Sequence, residues 1–162
     1  MATVPAAGRD GRRWWVLAGF AAAVVVVALV GSLGVQGSRE EYAALAKPAW
    51  APPGWLFGPV WSVLYAMIAV AGWLVWRRVG FTRPLWVYAA QLVLNALWTP
   101  LFFGGGAYGL ALLDISALLV LVAVTIGVFH RVSRSAALLL VPYWLWVAYA
   151  TALNFALWRA NS

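Results

Sequence analysis

Five long apolar stretches follow one another along the chain, separated by segments that carry most of the charged and proline residues. They run over residues 14–35, 55–76, 84–103, 107–129 and 136–158. Each has roughly the 20 residues that an α-helix needs to cross the hydrocarbon core of a bilayer. The stretches are too long for the strands of a membrane barrel, and they lack alternating polarity. The pattern therefore predicts an all-α membrane protein, a five-transmembrane-helix bundle with a long loop between helices 1 and 2.

The composition agrees with this class. Of the 162 residues, 65% are hydrophobic and 9% are charged, whereas a soluble domain has about 25% charged residues. We expect one domain, with a basic N-terminal tail at 1–13, a five-helix membrane domain at 14–158 and a short C-terminal tail at 159–162. Because arginines precede it, the first stretch is also compatible with a signal peptide. Its length, and the lack of a small-residue cleavage site after it, favour a retained helix.

The 11 lysine and arginine residues predict the orientation in the membrane. Five spans place eight arginines on the side of the N-terminus and three basic residues on the other side. The eight are Arg9, Arg12, Arg13, Arg77, Arg78, Arg83, Arg131 and Arg134, and the three are Arg39, Lys47 and Arg159. Because cytoplasmic loops are the more basic ones, we expect a bacterial inner-membrane protein with a cytoplasmic N-terminus and an external C-terminus. Such flanking clusters account for the net charge of +7, so we expect no nucleic-acid partner.

The connection between the first two helices, residues 36–54, is the only long one. Ser38, followed by two glutamates and Tyr42, predicts a short helix inside it. Prolines then alternate with Trp50 and Trp55. A loop of this length is more often functional than passive, so we expect residues 36–54 to cover a pocket as a lid. The alternative is an interfacial segment whose tryptophans lie among the lipid headgroups.

About half of the 12 tryptophans lie near the ends of the stretches, where they usually anchor a protein at the membrane surface. Trp50 and Trp55 lie in or beside the loop, and three of the tryptophans inside the stretches share helix faces with tyrosine, phenylalanine or amide side chains. These faces hold Trp61 and Tyr65 on the second helix, Gln91, Asn95, Trp98 and Phe102 on the third, and Trp146, Ala150 and Asn154 on the fifth. Amides in lipid need partners, so the faces point into the bundle. They predict either interhelical packing or an aromatic pocket for a flat apolar ligand. Trp144, two residues from Trp146, is expected to face lipid.

Signals for conventional catalysis or metal binding are weak. There is no cysteine, and the single histidine, His130, lies at a helix end beside Arg131. A Ser/His/Asp triad, a metal site and a strongly ligated haem are therefore all disfavoured, and we expect no metal and no required cofactor. Asp114 is the one carboxylate inside a stretch. Intramembrane acids are functional candidates by default, but we favour a structural role for it, at the helix start or in a hydrogen bond to a neighbouring helix.

Several longer motifs occur in order along the chain. They are Lys47-Pro48-x-Trp50-x-Pro52-Pro53-x-Trp55, Gly58-Pro59-Val60-Trp61-x-x-Leu64-Tyr65, Gln91-Leu92-x-Leu94-Asn95-x-x-Trp98-x-Pro100-x-Phe102-Phe103-Gly104, and Val141-Pro142-Tyr143-x-x-Trp146 with Ala150-Thr151-x-Leu153-Asn154-Phe155. These motifs resemble the TspO/MBR family of tryptophan-rich sensory and translocator proteins. The resemblance runs from about residue 14 to 161 and is specific, because several long motifs match together.

The resemblance implies a five-helix bundle, commonly dimeric, in which the first long loop covers a pocket. Family members bind porphyrins such as protoporphyrin IX, haem-related tetrapyrroles, sterols and benzodiazepine-type drugs, and some bacterial members degrade protoporphyrin IX in light. By motif match, Trp61 and Trp146 correspond to pocket tryptophans implicated in that degradation. Tyr42, Asn95, Trp98 and Ala150 correspond to other pocket or lid positions.

The family's sterol motif near the last helix is incomplete in this chain. Phe155, between Leu153 and Arg159, stands where the motif has tyrosine, so sterol binding is in doubt. Arg83, Tyr88 and Leu92 fit the reversed form of the motif, for which chance matches are common.

We therefore expect a membrane receptor or transporter-like protein that binds porphyrins, and sterols or benzodiazepine-type ligands, in tetrapyrrole homeostasis or stress signalling. The predicted ligand-binding residues are Tyr42, Trp50, Trp61, Tyr65, Asn95, Trp98, Phe102, Trp146, Ala150 and Asn154. The expected partners are the lipid bilayer, a porphyrin or other flat apolar molecule, and a second copy of the chain. Two alternatives stay open: a light-dependent porphyrin-degrading enzyme in which Trp61 and Trp146 are catalytic, and a purely structural membrane protein.

Overall fold

The structure, a computed structural model, describes residues 7–33 and 38–161. Its elements are α1 (Ala7–Leu33), α2 (Ser38–Ala44), a 3₁₀ turn (Gly54–Leu56), α3 (Phe57–Val79), α4 (Arg83–Thr99), a π-helical turn (Pro100–Gly104), α5 (Tyr108–Val132) and α6 (Arg134–Asn161). No strand occurs among the described residues. Five of the helices, α1, α3, α4, α5 and α6, are long and apolar enough to cross a membrane. The predicted fold class, an all-α five-transmembrane-helix bundle with a long loop after the first span, is confirmed.

Glycine and proline determine several helix boundaries. α3 ends where Gly80 takes a φ of 68°, a conformation that favours glycine, and its N–H donates to the Trp76 carbonyl at 2.8 Å. Pro84 lies in the first turn of α4, where its missing N–H leaves no helical bond unmade. At Pro100 the same missing N–H falls at the end of α4, and the chain widens into the π-helical turn.

The spanning helices extend beyond the predicted stretches, and α1 and α6 do so by the most residues. α1 begins at Ala7, so the part of the predicted N-terminal tail that the structure describes is helical. α6 continues to Asn161, because no glycine or proline follows Pro142 in this helix to end it. The short helix predicted in the long loop is α2, beginning at Ser38, whose side chain lies outside the described residues. Residues 1–6, 34–37 and 162 lie outside the description; they belong to the predicted N-terminal tail, the end of the first predicted stretch with the start of the loop, and the C-terminal tail.

α6 packs against α5 along most of its length and also against α3, and α4 packs against α5. α1 lies on the outside of the bundle, against α3 and α4. Of its described side chains and glycines, only Val24, Val27 and Gly31 are buried. α1 therefore closes one side of a space whose other walls are α3 and α4.

The expectation that Trp144 faces lipid is wrong. Its side chain is half-buried, and its indole N–H donates to the carbonyl of Leu119 on α5 at 3.2 Å. Trp146, two residues further, contacts Phe57 on α3. Residues two apart point in nearly opposite directions on a helix. α6 packs against α3 on one side and α5 on the other. A side chain that points away from α3, as that of Trp144 does, therefore contacts α5.

Candidate functional site

A cavity of about 350 Å³ lies between α1, α3 and α4, beneath the loop that contains α2. This volume is within the roughly 300–1,000 Å³ typical of small-molecule pockets. Its walls are Ala28, Gly31 and Ser32 from α1, Tyr42 and Gly54 from the loop and 3₁₀ turn, Phe57, Gly58, Trp61, Ser62 and Tyr65 from α3, and Trp98, Thr99 and Phe103 from α4 and its π-helical turn. Most of these side chains are aromatic or small, so the cavity suits a largely apolar ligand.

Small residues on α1 and α3 make the space. Gly31 lies so close to Thr99 that an added Cβ would be 3.4 Å from the threonine hydroxyl oxygen. At Gly58, by contrast, an added Cβ would meet no atom within 4 Å. Ser32 and Ser62 donate their hydroxyls to carbonyls of their own helices, at 2.7 and 2.9 Å. These two polar groups are therefore satisfied without a ligand.

Trp61 and Tyr65 form the flat part of the wall. They are one helical turn apart on α3, and their rings stack with centroids 5.2 Å apart and planes at 30°. Behind them, the ring of Tyr143 on α6 meets Trp61 edge-on at 6.1 Å. Stacked and edge-on ring pairs are the favoured arrangements. The two α3 rings thus offer a fixed aromatic face to the cavity.

A chain of hydrogen bonds holds Tyr65 in place. Its hydroxyl donates to Asn95 Oδ1 at 3.0 Å, Asn95 Nδ2 donates to Tyr143 Oη at 3.0 Å, and Tyr143 Oη donates to Gln91 Oε1 at 2.8 Å. The chain joins α3, α4 and α6. Gln91, Asn95 and Tyr143 are buried at 0%, 4% and 0% exposure, so only Tyr65 reaches the cavity. Asn95 therefore positions the wall and does not line the cavity.

Trp98 is fixed in a similar way. Its indole N–H donates to Asn154 Oδ1 at 3.1 Å, and Asn154 Nδ2 donates to the carbonyl of Tyr108 at 3.0 Å. Its ring contacts Phe102 at 5.3 Å. These contacts tie the end of α4 to α5 and α6, so Trp98 presents one side of its ring to the cavity without a free N–H.

Phe102, Ala150 and Asn154 border a crevice of about 10 Å³ on the far side of Trp98. A space of this size holds a single water at most, since one water needs roughly 10–15 Å³. Tyr42, Phe57 and Trp98 line both the crevice and the cavity. The predicted residues of α6 therefore support the cavity from behind.

Trp146 lies apart from Trp61. Its ring meets the ring of Phe57 edge-on, with centroids 5.9 Å apart, and lies tilted against the ring of Tyr149, with centroids 5.5 Å apart. Phe57 lines the cavity, and among the residues that the structure describes Trp146 does not. The Trp146 indole N–H is buried and, within that part of the chain, has no hydrogen-bond partner. Of the two predicted catalytic tryptophans, Trp61 is thus among the described lining residues of the cavity and Trp146 is not.

Tyr42 brings the loop onto the cavity. It is 6% exposed, its hydroxyl donates to the Pro52 carbonyl at 2.9 Å, and its ring meets Phe57 edge-on at 5.5 Å. Burial, and to a lesser degree the nearby Tyr149, raises the pKa of Tyr42 above its ordinary value, so the hydroxyl remains a donor. Lys47 Nζ donates to the Tyr42 carbonyl at 2.7 Å and caps the end of α2.

Trp50 fixes the loop outside the cavity. It is 49% exposed, its ring meets Tyr149 edge-on at 5.7 Å, and its carbonyl accepts the Tyr149 hydroxyl at 2.9 Å. It is absent from the described lining of the cavity. Trp50 therefore attaches the loop to α6, while Tyr42 covers the space.

Asp114 lies on α5, outside this cavity. Its Oδ2 atom is buried and, among the described residues, has no hydrogen-bond partner. The structural hydrogen bond expected for this carboxylate is therefore not found at that atom. His130 lies exposed in the last turn of α5.

Sequence reasoning missed several residues of the site. Ala28, Gly31 and Ser32 look like ordinary residues of an apolar helix, and only packing reveals their role. Tyr143 had a detectable signal: it precedes Ala150 by seven residues and Asn154 by 11, which places it on their face of α6.

A model of the TspO/MBR family matches residues 20–159, which include part of α1, all of α3, α4 and α5, and α6 except its last two residues. The chain belongs to the TspO/MBR family. The resemblance inferred from the motifs is thereby confirmed, and family and apolar helices together make this chain an integral membrane protein.

Relatives in the TspO/MBR family are similar over most of their length. Human translocator protein is 43% identical over 154 residues, 91% of this chain and 91% of its own. Tryptophan-rich protein TspO of Archaeoglobus fulgidus is 40% identical over 144 residues, 86% of this chain and 93% of its own. Tryptophan-rich sensory protein of Cereibacter sphaeroides is 40% identical over 122 residues, 75% of this chain and 77% of its own.

Proposed function

We propose that this TspO/MBR protein is a receptor or transporter-like protein that binds a porphyrin, such as protoporphyrin IX or a haem-related tetrapyrrole, in the cavity beneath the loop. The observation that carries the proposal is the stacked pair of Trp61 and Tyr65, 5.2 Å apart, which lines a space of about 350 Å³. A flat aromatic macrocycle gains most from a fixed, flat aromatic wall. Residues 38–54 would act as the lid.

The relatives support the receptor or transporter part of the proposal. One is named a translocator protein and another a tryptophan-rich sensory protein. The described lining residues include no acid–base pair. The cavity therefore fits movement or sensing of a ligand better than conventional acid–base catalysis. Tetrapyrrole homeostasis or stress signalling is the cellular role that we propose.

Titration of purified protein with protoporphyrin IX, followed by quenching of tryptophan fluorescence, tests the proposal. Loss of the stacking face in Trp61→Ala should weaken binding about tenfold, the effect of roughly 1.4 kcal/mol. Trp14→Ala is the matched control, because Trp14 is 64% exposed on α1 and is not among the described lining residues of the cavity. Equal affinity of wild type and Trp61→Ala would reject the cavity as the site. Absence of saturable binding in the wild type would favour the purely structural alternative.

Light-dependent degradation of the bound porphyrin is a second candidate. The observation in its favour is that Trp61 stacks on Tyr65 in the cavity wall, where its indole can donate one electron to a light-excited porphyrin bound against it. Because Trp146 contacts the lining residue Phe57 but is not itself among the described lining residues, Trp61→Phe should slow photodegradation more than Trp146→Phe. Absorbance decay of protoporphyrin IX under illumination, with and without dioxygen, measures this. Equal decay in both variants and the wild type would exclude catalysis by these tryptophans.

Sterol and benzodiazepine-type ligands are narrower proposals. Leu153 of the incomplete sterol motif is 4% exposed and points into the bundle, whereas Phe155 is 48% exposed. The motif residues therefore do not form one surface. Competition of such ligands with protoporphyrin IX would place them in the cavity, and binding without competition would place them elsewhere.

The orientation and the homodimer also belong to the proposal. A cytoplasmic N-terminus follows from the arginine distribution. Because the chain has no cysteine, single cysteines at Ala46 and Ser135 can be labelled from either side of the membrane. We expect position 46 to be labelled from outside and position 135 from inside. The opposite result would show that the predicted orientation is wrong. Mass photometry in nanodiscs tests the dimer.

A further inference from the structure

A groove with a volume of about 560 Å³ lies between α1 and α4 on the outer surface of the described bundle. It is separate from the ligand cavity and lies towards the beginning of α4. Its lining residues include Gly19, Phe20 and Ala23 from α1 and Leu85, Trp86 and Ala89 from α4. No charged side chain occurs among its described lining residues. We refer to it as the α1–α4 groove.

Aromatic rings form the floor of the α1–α4 groove. Phe20 stacks with Phe81 at 6.5 Å and 15°, and it meets Tyr88 edge-on at 5.9 Å. Gly72 on α3 makes this possible, because a Cβ there would lie 2.8 Å from Phe20 Cδ1 and 2.9 Å from Tyr88 Cζ. The rings of Phe20 and Tyr88 therefore pack closely against α3, which leaves the groove open on their outer side.

The floor offers no free polar group. The Tyr88 hydroxyl, which would be the hydrogen-bonding group of the reversed sterol motif, donates to the Ile68 carbonyl at 3.0 Å. Tyr88 is 3% exposed, so this hydroxyl is directed into the bundle and away from an occupant of the groove. The part of an occupant that lies in the groove must therefore be hydrocarbon, and its polar part must lie outside.

Small residues keep the α1–α4 groove open along α1. An added Cβ at Gly19 would meet no atom within 4 Å. Trp15 and Trp86 border the recess and are 78% and 76% exposed. Tryptophans with this exposure are typical of the level of the lipid headgroups. The groove therefore extends from the headgroup region into the hydrocarbon.

The mouth of the groove is basic. Thr82 lines it, and the next residue, Arg83, is exposed at the first position of α4. Arg77 and Arg78 end α3 at the same end of the bundle. The described acidic side chains are elsewhere, with Glu40 and Glu41 in α2 at the opposite end and Asp114 within α5. Positive charge beside an apolar groove complements a negative headgroup joined to an acyl chain.

We propose that the α1–α4 groove binds an anionic phospholipid, with one acyl chain along Phe20 and Leu85 and the phosphate at Arg83. The charge of the mouth selects the headgroup, and the aromatic floor holds the chain. This site is independent of the proposed porphyrin cavity, since the two have no described lining residue in common. It gives the protein a fixed lipid at the end of the bundle opposite the loop.

Native mass spectrometry of protein released from nanodiscs of phosphatidylglycerol and phosphatidylcholine tests this. The wild type should retain phosphatidylglycerol about fivefold over phosphatidylcholine, the effect of roughly one arginine near an anionic headgroup. Gly19→Leu fills the groove and should lose the retained lipid. Gly127→Leu is the matched control, because Gly127 is another helical glycine whose added Cβ would meet nothing within 4 Å.

A second pair of variants tests the headgroup. Arg83→Gln should lose the preference for phosphatidylglycerol but keep a bound lipid, and Arg134→Gln, at the first position of α6, should keep both. Equal retention in Gly19→Leu and wild type would overturn the proposal. So would equal retention of the two lipids by the wild type. If Gly19→Leu instead changes the proportion of dimers and leaves lipid retention intact, the groove is a contact between copies and the proposal is wrong.

Discussion

Asn161, the last residue of α6, forms hydrogen bonds with both the backbone N–H and the backbone carbonyl of Ala46 in the long loop. Asn161 Oδ1 accepts the Ala46 N–H at 3.0 Å, and Asn161 Nδ2 donates to the Ala46 carbonyl at 3.1 Å. The amide group also donates to the Leu157 carbonyl at 2.8 Å, which fixes it to its own helix. With Tyr42 covering the cavity four residues before Ala46, the end of α6 controls the position of the lid.

The first prediction is that Asn161→Ala loosens the lid without unfolding the bundle. Two hydrogen bonds to the loop are lost at an exposed position, where they contribute about 1 kcal/mol in total. Hydrogen exchange of the amides at 42–47 should therefore become about fivefold faster. Mass-spectrometric hydrogen exchange measures this, with amides of α5 as the internal reference.

Asn161→Asp is the control for this prediction. It keeps an acceptor for the Ala46 N–H and loses the donor to the Ala46 carbonyl, so an intermediate exchange rate is expected. Unchanged exchange of the loop in Asn161→Ala would mean that Tyr42 and Trp50 alone hold the lid.

The second prediction concerns Tyr143, the centre of the buried hydrogen-bond chain. Tyr143→Phe leaves Asn95 Nδ2 and Gln91 Oε1 without their partner in the core, so it should destabilise the protein by about 1–3 kcal/mol. Tyr149→Phe removes one exposed hydrogen bond and should cost less. Unfolding in a mixed-micelle titration compares them. Equal stability of Tyr143→Phe and wild type would show that the chain contributes specificity alone.

The spans were predictable because each is a local property of the sequence: about 20 apolar residues suffice to identify one. The inward face of α4 was predictable for the same kind of reason. Gln91, Asn95 and Trp98 share a stripe, amides are expensive in lipid, and all three are buried.

The cavity itself was less predictable, because it depends on which helices meet. Trp146 carries the same sequence signal as Trp61, yet it contacts Phe57 of another helix and is not among the described lining residues of the cavity. The walls from α1 are glycine, alanine and serine, which have no signal apart from ordinary helix packing. Tyr143 looks like one more aromatic residue until Asn95 and Gln91 are placed beside it.

The third prediction is that Asp114→Leu stabilises the protein. A carboxyl group with a buried oxygen and no partner for that atom among the described residues is costly, by about 1–3 kcal/mol for the unmade hydrogen bond. Leucine removes this cost and fits a half-buried helical position. Thermal unfolding in detergent, compared with Ser116→Leu two residues away on α5, measures it. A lower melting temperature in Asp114→Leu would show that the carboxyl has a partner in the membrane.

The last prediction tests the cavity by filling it. Gly58 lines the cavity, and its added Cβ would meet no atom within 4 Å, so Gly58→Leu should enter the space without straining the helix. Affinity for protoporphyrin IX should fall at least about tenfold, because the ligand loses volume beside the intact ring of Trp61. Gly127→Leu on α5 controls for the added side chain. A variant with unchanged affinity would place the porphyrin outside this cavity, even if Trp61→Ala weakens binding, because loss of an indole can also disturb Tyr65 and Tyr143.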